Sequence, residues 1–189
     1  MPINHTGFAS QMPSPGTPGS TYTTTDTQCV YTDDGNQWNF TSSSALLVAT
    51  ITLTAAQIKT LHTAPIQLVP APGAGKYIQF YDAQFYLTYG GVAFDVTGKG
   101  VLQIYYGSNN SLTVVDDRWP GDASDSPVLA LTANGGFVGL VPQGGLGYVL
   151  PLATADNQPL NLALETANLT TGNSTLKVKV RYEIKATAL

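Results

Sequence analysis

The chain has little of what sites of chemistry are usually built from. Its 189 residues include one cysteine, Cys29, and two histidines, His5 and His62. A single cysteine excludes an internal disulfide and a multi-cysteine metal site. No apolar run approaches the roughly 20 residues that cross a bilayer as a helix, so no membrane partner is expected. Met1 to Ser20 carries no basic start and no apolar stretch, and does not read as a secretory signal. Charged residues make up only 11%, against roughly 25% in ordinary soluble domains. The net charge is −4, and no Lys/Arg cluster is interleaved with aromatics, which argues against nucleic acid as a partner.

What is present is strand pattern. Hydrophobic residues make up 43%, enough for a core, and the length fits one domain, or one domain plus a tail. With so few ions, solubility rests on Ser, Thr, Asn, Gln and Gly. Neutral polar groups are cheaper to desolvate than ions, which suits a surface packed against neighbours. The plainer reading is a β-rich chain, since Lys and Glu are depleted in strands.

From Leu176 to Lys185 the alternation is unbroken. Leu176, Val178, Val180, Tyr182 and Ile184 share one face, and Lys177, Lys179, Arg181, Glu183 and Lys185 share the other. Lys177, Lys179, Arg181 and Lys185 are four of the chain's eight basic residues. The row has two readings: a solvated face that guards against edge-to-edge pairing, or a surface that docks on an acidic partner.

Residues 1–44 differ from the rest. Pro13, Pro15, Gly16, Pro18 and Gly19 break regular structure, and polar Thr and Ser runs follow. Phe8, Tyr22, Tyr31, Trp38 and Phe40 punctuate this stretch, more aromatics than a disordered tail carries. It reads as an extended arm that lays those side chains on a surface, its own or a neighbour's; the other reading is a flexible terminus.

The body, 45–189, reads as about ten strands and one short helix. Strands are expected at 45–53, 66–69, 76–89, 92–96, 101–106, 112–115, 128–131, 137–141, 147–152, 160–165 and 176–185. Thr54-Ala55-Ala56-Gln57 has the form of a capping box, opening a helix over 55–61 that Pro65 stops. Along 76–89 the apolar phase slips near Tyr81-Asp82, which is what a β-bulge does. Turns every 8 to 12 residues or so mark a sandwich or barrel. The fold class is all-β: an antiparallel sandwich of jelly-roll type with one short helix and an extended N-terminal arm.

The search for chemistry comes back nearly empty. Gly73-Ala74-Gly75-Lys76 looks like a phosphate loop, but Pro70 and Tyr77 break the pattern and a strand follows. Asp116, Asp117, Asp122 and Asp125 form the densest acidic cluster; the spacing matches no cation loop, and a solvated loop is the better reading. His62 reads as a helix-end residue against terminal carbonyls. Asp82 and Asp95 read as residues that bond a turn or bulge. Asn-x-Ser/Thr triplets start at Asn4, Asn39, Asn109, Asn168 and Asn173 and read as chance in so Asn- and Thr-rich a chain. No catalytic, cofactor or metal residues are assigned.

Two blocks carry a resemblance. Ile51-Thr52-Leu53-Thr54-Ala55-Ala56-Gln57-Ile58-Lys59-Thr60-Leu61-His62, continuing through Pro65 into Leu68-Val69-Pro70-Ala71-Pro72-Gly73-Ala74-Gly75-Lys76, resembles a block of virion structural proteins of tailed bacteriophages. Phe85-Tyr86-Leu87-Thr88-Tyr89-Gly90-Gly91, Leu160 to Glu165 and Leu176 to Ile184 are similar to the same family. The resemblance implies a non-enzymatic β-sandwich subunit on a capsid exterior or fibre. It would be made in a bacterial host cytoplasm and partnered by the major capsid protein and by other copies of itself, as in a homotrimer. The expected role is a capsid decoration (cement) protein, with Lys177, Lys179, Arg181, Lys185, Phe8, Tyr22, Tyr31, Trp38 and Phe40 as contact residues. The alternative is a carbohydrate- or receptor-binding module of a fibre or tail, using Trp119, Tyr105 and Tyr106 as flat faces for sugar rings.

Overall fold

Residues 1–7, 9–24, 29–43, 46–108, 113–117, 125–140 and 152–187 are described by a computed structural model. In chain order the strands are β1 (Asn4–Gly7), β2 (Thr21–Thr24), β3 (Cys29–Asp33), β4 (Trp38–Ser43), β5 (Leu47–Leu53), β6 (Ile66–Val69), β7 (Lys76–Thr88), β8 (Leu102–Tyr106), β9 (Thr113–Asp116), β10 (Gly135–Leu140), β11 (Leu160–Leu164) and β12 (Thr175–Ala186). Two short helices, α1 (Ala55–Lys59) and α2 (Leu152–Ala155), interrupt them. The chain is mostly β, in two sheets whose strands pair antiparallel except β1 with β2. The larger runs β1-β2-β3-β4-β12-β7-β10, with β5 also on β12, and the smaller runs β6-β11-β8-β9.

The alternating segment is the axis of the larger sheet. β12 pairs along Leu176–Tyr182 with β5 on one side, and along its whole length with β7 on the other. It is an interior strand, so its charges do not guard an edge; among the described residues the unpaired edge beside it falls to β5. The phase slip in β7 is a bulge: Arg181 faces Asp82 and Tyr182 faces Phe80, so the backbone register skips Tyr81. Ile78 and Phe80 before the bulge, and Ala83, Phe85 and Leu87 after it, all stay buried.

One hydrophobic cluster draws on both sheets. Leu53, Phe85, Leu87, Leu176, Val178 and Val180 come from the larger sheet; Leu102, Ile104, Tyr106, Leu160 and Leu162 come from the smaller. Fully burying each large apolar side chain contributes about 1.5–3 kcal/mol. The Tyr106 hydroxyl donates to the Ile78 carbonyl and ties the two sheets together. Helix α1 forms as its capping box predicts: Thr54 Oγ1 accepts from the Gln57 backbone N–H, while Gln57 Oε1 accepts from the Thr54 N–H at 2.9 Å. It places Ile58, and just beyond it Leu61, in the same cluster.

Two expected strands are absent. Residues 92–96 form no strand, because side chains capture their backbone: Val92 N–H donates to Asn173 Oδ1 at 2.9 Å and the Ala93 carbonyl accepts from Thr171 Oγ1 at 3.3 Å, while the Asp95 carboxylate accepts from Thr170 and Thr171 N–H. Residues 128–131 form a turn rather than a strand. There Ser126 Oγ accepts from Leu129 N–H, and the Ser126 carbonyl accepts from Ala130 N–H at 3.1 Å. Within residues 1–44, read as an extended arm laid on a surface, four strands among the described residues continue the larger sheet and join β12 at the Lys185–Ser42 pair. Runs of Thr, Tyr and Val favour that state, since β-branched and aromatic residues suit a pleated surface. Of the expected strand at 147–152, residues 147–151 lie outside the described residues, and Leu152 opens α2.

Candidate functional site

Two surfaces hold the residues that the sequence singles out. The first is the outer face of the larger sheet. Lys177 is exposed between Thr52 and Tyr86, and Lys179 lies half-buried between Thr50 and Gln84. Arg181 reaches across to buried Asp82, its Nε 2.9 Å and 2.7 Å from the two carboxylate oxygens and its Nη2 on Oδ2. The Asp82 carboxylate raises the guanidinium pKa above its ordinary value. Lys185 pairs with Glu183, two residues back on the same face. The basic row is therefore half neutralised from within, and Lys177 and Lys179 remain as its outward cations. Around them the surface is neutral or apolar: Val48 is 52% exposed and Tyr86 is 48% exposed.

The second surface is a cleft where the N-terminal strands meet the body. Asp34 organises the β3–β4 turn, its Oδ1 accepting from Asn36 and Gln37 N–H at 2.9 Å. The turn launches β4 so that Trp38 and Phe40 fall on one face by the period of two. Tyr31, opposite Phe40 on β3, meets it edge to face with ring centres 5.7 Å apart. The indole N–H of Trp38 donates to the Pro13 carbonyl at 2.6 Å, which fixes the ring. The facing wall is Ala74, Gly75 and Lys76 at the entry to β7, with Ala186 at the end of β12. Lys76 Nζ stands 4.3 Å from the Phe40 ring centre, a cation–π contact. The cleft encloses about 500 Å³.

Sequence reasoning missed Gln37, Asn39 and Lys76 as members of this cleft. The signal was the alternation Gln37-Trp38-Asn39-Phe40 inside a stretch read as an arm. In the sequence Lys76 ends a broken phosphate-loop pattern and opens an expected strand; in the structure Gly73–Gly75 is a turn, with Gly75 at φ +74°, and Lys76 is the first residue of β7.

The remaining assignments fall elsewhere. Tyr22 is buried, stacked near His5 and edge-on to Trp38, so it braces the cleft from within. Phe8, Trp119 and Asp122 lie outside the described residues. Tyr105 and Tyr106 are 3% and 1% exposed, so neither can offer a ring face to a sugar. His62 does not bond the end of α1; its Nδ1 lies 3.1 Å from the Leu164 carbonyl on β11. Asp95 accepts from Thr171 N–H and from the hydroxyl and N–H of Thr170, which hold its carboxyl well below the usual range.

Of the acidic cluster, Asp116 and Asp117 are buried rather than solvated, and Asp125 is half-buried. Burial pushes Asp117 up to about 7, against donors from Ser126, Leu102 and Val128 that pull it down. Asp117 Oδ1 accepts from Leu102 N–H at 2.9 Å and Oδ2 from Ser126 Oγ at 2.5 Å. Asp125 accepts from Lys99 N–H. No group of three or more metal-ligating side chains occurs among the described residues. No helix among them is long and apolar enough to cross a membrane.

No family model and no curated protein matches the chain. A solved structure described as the Cyanophage Pam1 capsid asymmetric unit is similar over 77% of this chain and 87% of that chain, at 15% identity and a TM-score of 0.34. A likeness at that level carries no argument about fold or role.

Proposed function

We propose that this chain is a non-enzymatic structural protein of a bacteriophage virion, a jelly-roll-type decoration (cement) subunit that binds the assembled shell. Its partners in this reading are the major capsid protein and further copies of itself on the capsid exterior. The observation that carries the proposal is an uncovered sheet edge. β5 pairs with β12 and, among the described residues, with no other strand. Its sequence, Leu47-Val48-Ala49-Thr50-Ile51-Thr52-Leu53, has no charge and no proline, and its register on β12 has no bulge. An apolar edge without those devices is a template for pairing unless something covers it. Exposed Leu46 precedes this strand and exposed Val48 lies on it; on the same face Lys177 of β12, and beyond it exposed Tyr86 of β7, extend the surface, with Lys177 to orient an acidic partner.

The sequence resemblance to virion proteins supplies the neighbour that would cover this edge. Function then follows from linkage. A subunit that binds the closed lattice and not its separated parts stabilises the lattice by mass action, by about 2.7 kcal/mol at a hundredfold excess over Kd. In this reading no bond is made or broken. Heating particles with and without the protein tests the proposal. Rupture at a lower temperature without the chain, restored by adding it back but not by Thr50→Lys, supports it. The same rupture temperature in all three samples refutes it.

A further inference from the structure

We propose that the cleft between β4 and the entry to β7 binds a neutral saccharide. The inference goes beyond shell binding and does not depend on where in a particle the chain sits.

The lining combines two chemistries that sugars require together. Tyr31, Trp38 and Phe40 are half-buried, so part of each ring faces the cleft. Aromatic rings receive the apolar C–H faces of a pyranose. Trp38 is already tied through its indole N–H to Pro13, so little freedom is lost when a ligand arrives. Gln37 and Asn39, the residues that alternate with those rings along the chain, also line the cleft, and their exposed amides form a fixed chain. Gln37 Nε2 donates to Asn39 Oδ1 at 3.1 Å, and Asn39 Nδ2 donates to Asp34 Oδ2 at 2.7 Å. Each amide keeps one N–H, and Gln37 keeps its Oε1, with no bond to a described residue. A donor and an acceptor side by side match a pair of vicinal hydroxyls.

The same lining disfavours other ligands. An apolar guest would leave the amides unpaired on desolvation. A metal would find no carboxylate, thiolate or imidazole among the lining residues. A phosphate or nucleic acid would find one cation, Lys76, already seated on the Phe40 ring. The volume, about 500 Å³, lies in the range of small-ligand sites.

The test is titration of the full chain, followed by heteronuclear NMR, with maltohexaose, cellohexaose and a mannose hexasaccharide, and with an oligo-dT strand as the competing class. Saturable shifts at Trp38 and the Gln37 and Asn39 side-chain amides with at least one sugar, and none with oligo-dT, are expected. Gln37→Ala, an exposed change that should leave Tm unaltered, weakens that binding roughly fivefold to tenfold. Phe40→Leu, which keeps apolar bulk but removes the ring, abolishes it. No shift with any of the three sugars, binding of oligo-dT instead, or sugar binding indifferent to both variants overturns the proposal.

Discussion

Asp117 makes stability depend on pH in an unusual direction. Its carboxyl is buried behind the start of β8 and held at about 7 in the folded chain, against 3.8 as a free side chain. Between those values the folded state binds a proton that the unfolded state has lost. Stability therefore falls as pH rises through this window and levels off above 7. From pH 5 to pH 7 the loss is about 2 kcal/mol as an order of magnitude, a little under two units at 1.36 kcal/mol each, because the folded carboxyl is itself half ionised at the upper end. Asp33, Asp34 and Asp95 act oppositely and at lower pH. Burial raises Asp33, but the N–H groups of Gly16, Thr17 and Gly35 outweigh it; Asn36 and Gln37 hold Asp34 low, and Thr170 and Thr171 hold Asp95 low. Their contribution is complete above about pH 4–5 and is lost only in acid.

The perturbation is Asp117→Asn, which keeps an oxygen for Leu102 N–H and carries no titrating proton. Urea unfolding of both chains at pH 5 and pH 8 gives the difference in stability, which cancels every other titrating group. That difference should move by about 2–3 kcal/mol toward the variant at pH 8. A difference that stays constant, or moves toward the native chain, refutes the argument from burial. Asp117→Ala should cost more at both pH values, about 1–3 kcal/mol beyond Asn, because Leu102 N–H and Ser126 Oγ lose their partner.

Three other substitutions probe the local readings. Thr54→Ala removes the cap of α1 and should lower unfolding free energy by about 1 kcal/mol in urea, whereas Thr54→Ser should be nearly silent. Gly172→Ala combines φ +104° with a Cβ that would lie 2.0 Å from Phe94; a loss of roughly 1–3 kcal/mol by thermal melting is expected. Arg181→Met should lower Tm by stranding buried Asp82 against the bulge, and adding Asp82→Asn should recover most of that loss. A double-mutant cycle with no coupling would contradict the pairing.

The parts of the fold that could be read from sequence are those whose causes lie close together in the chain. The capping box at Thr54 and Gln57 needs four residues. The slip at Tyr81 shows in the phase of one strand. The charged face of β12 shows in ten residues. What escaped depends on partners far away. Val92 and Asp95 are drawn out of a strand by Asn173 and Thr170, roughly 80 residues on. Whether Lys177 and Arg181 are equivalent cannot be seen until β7 brings Asp82 to one of them. The cleft was hidden for the same reason: its aromatics lie in 31–40, and its opposite wall is at 74–76 and 186.

The most direct measurement is a cryo-electron microscopy map of a native phage particle that carries this chain. Density for the two-sheet body on the outer shell, with the Leu47–Leu53 edge and the face of Val48, Tyr86 and Lys177 covered by a neighbouring subunit, is the result the account predicts. Particles whose shells carry no such density, or copies attached with that edge open to solvent, would contradict it.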